Sequence, residues 1–455
     1  MSLTSWGQLP AYRMTPASRE LLWSNRHATL PEGAGSLLAY GNGRSYGDVC
    51  LNSAGTLLHT RGLDRFIAFD EASGRLVCEA GVLLSEILAV FVPRGWFLPV
   101  TPGTRYVTVG GAIANDVHSK NHHGAGTFGC HVHRFELLRS DGSRRVCSRS
   151  ENPEWFAATI GGLGLTGLIT WAEIELRRVP GLHIDVVNRR FTGLDEFFAH
   201  NAELEARHEY TVAWVDCLAE RPRGIFMAGD HAQTPGFTGG VAQGDGGPAV
   251  PFTPPLSLIN SLSLHAFNFA YYHRPVPAQG RVHYAPFFYP LDGVRHWNRL
   301  YGRRGFFQYQ FVVPQTERAA LDEIFATIAA SGQGSFLAVL KTFGDQPSPG
   351  MLSFPKAGVT LALDFPNHGE PTLALFARLD AIVKTAGGRL YPAKDARMPG
   401  EFFRQSYPRL SEFAAYLDPG FASDFSRRVG LVGDGQGGTD FRSFRDALWR
   451  SHVVS

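Results

Sequence analysis

Three runs of small residues, in a fixed order, constrain this chain more than any other feature. The first, Tyr40-Gly41-Asn42-Gly43-Arg44-Ser45-Tyr46-Gly47-Asp48, follows an apolar stretch of β character. Glycine has no Cβ, so the backbone N–H groups of such a loop can close around a pyrophosphate. The second is longer. It comprises Pro102-Gly103-Thr104, then Thr108 to His118 with Gly110, Gly111, Ala112, Asn115 and Asp116, then Asn121 to Gly129 with Gly126, Thr127 and Phe128. Small side chains let a large planar ligand lie on the backbone, and Thr, Asn and Asp supply hydrogen bonds to phosphate, ribose and ring edges. The third, Gly161 to Gly167 with Gly164 and Gly167, leads into the alternating run Leu168–Leu176. A set of turns and helix caps is the alternative reading. The first loop does not open a Rossmann helix, because no amphipathic pattern follows Gly47.

With 455 residues, the chain exceeds what one hydrophobic core usually spans, and two lobes are expected. Strands are predicted at Ser36–Tyr40, Thr56–His59 and Arg75–Glu79, with a helix at Leu83–Val92. After Pro180 the texture changes. Strands at His183–Phe191, Thr211–Cys217, Gly224–Ala228, Phe306–Val313, Phe336–Thr342 and Val359–Phe365 alternate with helices at Leu194–Ala206, Gln315–Ala330 and Thr372–Ala386. The division expected is a cofactor domain over 1–180, completed by about 390–432, a substrate domain over 181–389, and a tail over 433–455. The Gly-, Pro- and Gln-rich stretch 230–255 reads either as an active-site lid or as a surface loop without a role.

A net charge of only +2 gives no concentrated basic surface for nucleic acid, while a few local cations could still hold one phosphate. Cys50, Cys78, Cys130, Cys147 and Cys217 form no CxxC pair, which suits reduced thiols. Met1–Arg13 shows no apolar core or cleavage site, so a cytoplasmic location is expected, with peripheral contact at the inner membrane face left open. Pro255–Tyr272 is too polar to span a bilayer. His118, His122, His123, His131 and His133 repeat no zinc spacing, and no metal is expected.

The three small-residue runs, in this order, resemble the vanillyl-alcohol-oxidase type of FAD-binding fold, an α+β fold of two domains with an antiparallel-sheet substrate domain. The likeness extends further. Gly43-Arg44-Ser45-Tyr46-Gly47-Asp48, Val109 to His123, Gly164-Leu165-Thr166-Gly167, Phe307-Gln308-Tyr309-Gln310-Phe311, Ser335-Phe336-Leu337 with Lys341, and Leu390-Tyr391-Pro392-Ala393-Lys394-Asp395 resemble the flavin subunits of decaprenylphosphoryl-ribose 2-epimerases. The resemblance implies FAD-dependent oxidation of the 2-hydroxyl of a polyprenyl-phosphoryl ribose. It also implies a separate NAD(P)H-dependent short-chain reductase that completes the conversion to arabinose, and a quinone as candidate electron acceptor. Two departures matter. Arg44 stands where many members of the broader fold carry a flavin-linking histidine, so FAD should be held non-covalently. Ala362 stands where the mycobacterial epimerase has a cysteine beside the flavin, so inhibitors that trap that thiol should fail here.

Alcohol oxidation needs a base for the hydroxyl proton, a hydride acceptor and stabilisation of the charge that builds on the reduced cofactor. Lys394 is the first choice for the essential side chain, since a desolvated ammonium shifts toward neutrality; a lysine in a solvated turn is the other reading. By the same resemblance, His118 and Lys120 face the reacting end of the substrate, and Tyr391 and Ala393 join the cofactor contacts. Gln308 and Gln310, at i and i+2 of a strand, share a face toward the sugar, with Lys341 as a phosphate anchor, Phe343 and Thr360 beside it, Tyr46 as a gate and Trp6 as a cover. A solvated sheet face is the alternative for the two glutamines. Two other readings are an alditol or sugar oxidase that uses O₂, and a flavin-binding protein without catalysis.

Overall fold

The computed structural model describes residues 3–9, 18–233 and 247–432. The tail at 433–455 and residues 234–246 of the lid expected at 230–255 lie outside the described residues. Three sheets carry the architecture. Leu37–Tyr40, which ends in the first glycine loop, pairs in parallel with Thr56–His59, and that strand pairs with Arg19–Leu22. A five-stranded antiparallel sheet runs in the order Phe66–Asp70, Arg75–Glu79, Leu168–Glu175, Val132–Leu138, Arg144–Ser148. Helix Leu84–Phe91 packs at its edge through Leu84, Ile87, Leu88 and Phe91, the i, i+3, i+4, i+7 stripe of an amphipathic helix.

The third sheet has eight antiparallel strands in the order Gln279–His283, His183–Thr192, Arg223–His231, Tyr210–Asp216, Val339–Phe343, Gly358–Pro366, Phe306–Val313, Arg389–Leu390. Helices Arg318–Ser331 and Glu370–Thr385 bury Leu321, Ile324, Phe325, Ile328, Leu375, Phe376, Leu379 and Val383 in the same core as this sheet. The strand expected from Phe336 begins three residues later, at Val339. Ser335 explains the delay: its Oγ bonds Leu337 N and O at 3.1 and 2.8 Å and accepts from Asp364 N at 3.0 Å, holding a turn that competes with the ladder.

The C-terminal segment returns to the N-terminal sheets and fixes the site. Leu37 donates to Gly420 O at 2.7 Å and accepts from Ala422 N at 2.9 Å. Buried Asp418 accepts from Ser140 N and Gly420 N at 2.9 and 2.8 Å and pairs with Arg139 at 3.3 Å. Arg428 bridges Asp48, beside the first glycine loop, and Asp395, next to Lys394. Thus residues far apart in the chain become one rigid wall.

Candidate functional site

A cavity of about 1200 Å³ runs from the glycine loops to the face of the eight-stranded sheet. Single-ligand pockets typically hold about 300–1,000 Å³, so there is room for a cofactor and part of a substrate together. Its cofactor side is lined by Gly41, Asn42, Gly43, Arg44, Ser45, Pro102, Gly103, Thr104, Thr108, Gly110, Gly111, Asn115, Gly164 and Gly167. Gly43 takes a left-handed φ of +59°, and a Cβ there would lie 2.7 Å from Thr4 O; at Gly41 a Cβ would lie 2.5 Å from Thr108 Oγ1. Glycine is therefore required where the first loop meets the second run. Thr108 caps helix Val109–Ala114 by accepting from Gly111 N at 3.1 Å.

The same wall holds buried polar atoms without protein partners, Arg44 Nε and Asn115 Oδ1. Such atoms are costly to leave unmet. Together with the small-residue walls, they fit the phosphates and polar edges of FAD. Arg44 lies 4.1 Å over the Trp6 ring, and burial lowers its pKa. The loop position has no nucleophile for a covalent link to the flavin.

At the other end, four segments converge on Lys394. Its turn, Pro392–Lys394, is held where Tyr391 N donates to Gln310 O at 3.0 Å, Tyr391 OH to Asn115 O at 2.9 Å, and Tyr46 N to Ala393 O at 2.9 Å. The Lys394 ammonium stands 3.9 Å from the Tyr46 ring centroid. Part of its surface opens into the cavity, yet the surrounding atoms desolvate the charge and push its pKa down, with the Asp364 carboxylate opposing. Asp364 is wholly buried and accepts from Gln308 Nε2 at 2.7 Å, while its second oxygen has no partner. Desolvation raises its pKa; the Gln308 bond and Lys394 pull the other way.

Beside this pair, Lys341 Nζ approaches His118 Nδ1 at 2.9 Å and donates to Ser119 O at 3.0 Å, and His118 Nε2 lies 3.1 Å from the Gln310 side-chain amide. Burial, then mutual repulsion with Lys120 and Lys394, holds Lys341 well below the ordinary lysine range; burial and Lys341 likewise depress His118. If Nδ1 of a neutral imidazole accepts from Lys341, its proton sits on Nε2, and Gln310 must turn its amide oxygen toward the ring. Lys120 donates to Phe288 O at 3.2 Å, and desolvation lowers its pKa to about 8. Three lysines and a histidine thus crowd one end of the cavity.

Residues 32–148 match the family described as FAD binding domain. Over 419 residues the chain is 36% identical to a decaprenylphosphoryl-beta-D-ribose oxidase of Mycolicibacterium smegmatis, covering 88% of this chain and 90% of that protein. The chain belongs to the decaprenylphosphoryl-ribose oxidase family. It is an FAD-dependent oxidoreductase. An uncharacterised protein of Streptomyces coelicolor is 35% identical over 373 residues, 77% of this chain and 100% of its own length. A cytokinin dehydrogenase of Oryza sativa matches only 177 residues, 36% of this chain and 33% of the relative, at 30% identity.

Not every residue singled out from the sequence reaches the cavity of this decaprenylphosphoryl-ribose oxidase relative. Gly47, Ala112, Asp116, Asn121, Gly126, Thr127, Phe128, Phe343 and Thr360 are not among its lining residues. A Cβ at Gly47 would collide with Asp395 O, so this glycine admits the Lys394 loop. Asp116 is buried and accepts from Gly129 N at 2.8 Å and from Ser348 and Ser353. Asn121 donates to Pro99 O at 3.0 Å, and Phe343 packs on His118 with ring centroids 4.8 Å apart. Thr360 Oγ1 lies 3.3 Å from the Gln310 amide, one step behind the wall. Tyr46 is buried beneath Lys394, against the sheet residue Phe306, which is no position for a gate. Lys341, expected as a phosphate anchor, has two of its donors occupied by His118 and Ser119. Asp364 was missed, although the period of two that places Thr360 and Ala362 on one face continues to it. Ala362 does line the cavity. Among the described residues no group of three or more His, Cys, Asp or Glu could hold a metal ion.

Proposed function

We propose that this chain oxidises the 2-hydroxyl of a polyprenyl-phosphoryl ribose to the 2-keto sugar. A separate NAD(P)H-dependent short-chain reductase then completes the epimerisation to arabinose, and a quinone reoxidises the flavin. The observation that carries the reading is the cluster of Lys120, Lys341, Lys394 and His118 at the substrate end of the cavity. Burial depresses all four, and repulsion from neighbouring cations adds to it at Lys341 and His118; an anionic phosphoryl sugar relieves that repulsion, whereas a neutral alditol does not. The fold reading is the vanillyl-alcohol-oxidase type. Residues 1–180 with 390–432 would hold FAD, through the glycine runs and Arg44, Asn42 and Asn115; residues 181–389 would hold the substrate.

Bound there, FAD supplies the hydride acceptor. The chain's own residues do the rest. Lys394, neutral in part because it is desolvated, takes the proton of the 2-hydroxyl. Gln308 and Gln310 hold the sugar from the strand face, and His118, fixed by Lys341, orients the Gln310 amide by donating to it from Nε2. Tyr46 packs beneath Lys394 and keeps water from the amine.

The proton role fixes a pH dependence. The free amine is the active form, so flavin reduction should rise with pH through the depressed Lys394 pKa and level off above it. Asp364 opposes that depression, so Asp364→Asn should lower the Lys394 pKa and move the rising limb to lower pH. A profile that stays in place or moves to higher pH would contradict the pairing. The substrate reading is tested by anaerobic mixing of the holoenzyme with a polyprenyl-phosphoryl ribose, free ribose and an alditol. Bleaching of the flavin by the first alone is the expected result; bleaching by free sugars would favour a soluble carbohydrate oxidase.

A further inference from the structure

Of the eleven large hydrophobic residues exposed among the described residues, seven fall between Phe252 and Val294. Single exposed apolar residues are ordinary, but a contiguous set marks an interaction surface. Helix Ser261–His273 concentrates them in an unusual way. Asn260 caps it by accepting from Ser263 N at 3.1 Å, and Leu264 and Asn268 face inward, with Asn268 donating to Asp216 at 2.8 Å. The outward face carries Leu262, His265, Ala266, Phe269, Ala270 and His273, spaced i, i+3, i+4, i+7, i+8, i+11. An apolar stripe therefore points away from the protein, with Leu262 81% and Phe269 60% exposed. Leu256 and Leu258, 77% and 55% exposed, extend the same patch.

Two further facts point to what covers this surface. Residues 247–305 contain six arginines against one acidic residue, Asp292, a net charge of +5 with His neutral, in a chain whose total is only +2. Asp292 itself is turned inward, accepting from Arg105 N at 2.9 Å. Arg281 is paired with Asp185, while Arg303 and Arg304 stand exposed. The chain then passes directly from this helix into Arg274-Pro275-Val276-Pro277, which line the cavity with Tyr271. Apolar side chains flanked by arginines, at the rim of a cavity, are the composition of a surface that settles into the headgroup region of an anionic bilayer. No helix among the described residues is long and apolar enough to cross a membrane.

We propose that helix Ser261–His273 and the preceding Leu256–Leu258 segment dock this protein on an anionic lipid surface, with the cavity rim turned to the bilayer. This rests on the lipid-linked substrate proposed above: a polyprenyl tail stays in the bilayer while the phosphoryl sugar enters the cavity beside Tyr271 and Arg274.

The test uses the full-length holoenzyme and vesicles of phosphatidylcholine, with and without phosphatidylglycerol, in the absence of any sugar. Binding to the anionic vesicles is expected to weaken by at least about tenfold in the double variant Leu262→Asp/Phe269→Asp and to fall in Arg303→Glu/Arg304→Glu. Both variants should keep bound flavin and its reduction by a water-soluble, short-chain prenyl-phosphoryl ribose. Vesicle binding that is lacking, or unchanged in both variants, overturns the docking. So does a stable dimer in sedimentation velocity that the first variant dissociates without loss of vesicle binding, since a second copy would then be the occupant. Because the soluble substrate is measured without vesicles, failure of docking and failure of the substrate reading give different results.

Discussion

Replacing Lys394 with alanine is expected to slow anaerobic flavin reduction by about 10²–10⁴-fold, the usual contribution of a positioned acid–base group, while the protein keeps its yellow cofactor. The side chain sits in a short turn tied to the first glycine loop, to the strand that bears Gln310 and to Asn115. The backbone bonds that hold this turn survive the substitution, so loss of rate with FAD retained would isolate the proton-handling role. Lys394→Arg sharpens the test. Arginine restores a positive charge but stays protonated at any working pH, so it should be nearly as slow as alanine. Recovery of rate with arginine would mean that Lys394 serves as a charge and not as a base.

Arg428→Met is expected to be the most destabilising of the single changes considered, at about 3–5 kcal/mol, the range for breaking a buried ion pair from one side. Arg428 reaches Asp48 at 2.6 and 2.8 Å, Asp395 at 2.8 Å and Met398 O at 2.6 Å. Both carboxylates are nearly inaccessible, at 2% and 6% relative exposure. Desolvation already raises the Asp48 pKa, with Arg428 pulling it back. Without the arginine, Asp48 is left as a buried charge short of partners, and its pKa should climb further. The deficit in urea-unfolding free energy should therefore shrink as pH falls and Asp48 takes up a proton. A deficit below about 1 kcal/mol, the scale of an exposed pair, would show that the bridge does not hold the wall together.

The sequence disclosed most about the elements that carry their own periodicity. Phe306–Val313 and Arg75–Glu79 begin and end where alternation predicts, because two-faced burial leaves little choice of register. Leu194–Glu205 and Leu84–Phe91 are likewise legible in their apolar stripes. Helix Ser261–His273 was not. Its Leu262 and Phe269 face outward while Leu264 and Asn268 face inward, and the polar residues of Pro255–Tyr272 exclude a membrane span without giving the helix or its phase.

The site divides in the same manner. The glycines at 41 and 43 were legible because close approach of neighbouring atoms, and at Gly43 a left-handed φ, leave no room for another residue type. Asp116 and Thr127, with identical local signals, instead fasten the wall from behind, a distinction set by tertiary contacts that spacing does not record. Asp364 could have been found by extending the face of Thr360 and Ala362 by one step. What made it invisible was chemistry: a carboxylate flanked by Leu363 and Phe365 gives no hint that Gln308 lies opposite until the strands are paired.

The most direct test of the account places deuterium at C2 of a polyprenyl-phosphoryl ribose and follows anaerobic flavin reduction in the stopped flow. If the 2-hydroxyl carbon gives up its hydrogen in the step that Lys394 assists, reduction should slow with deuterium at C2 and stay unchanged with deuterium at C3. Equal rates with the C2-labelled and unlabelled sugars, together with slowing by the C3 label, would contradict it.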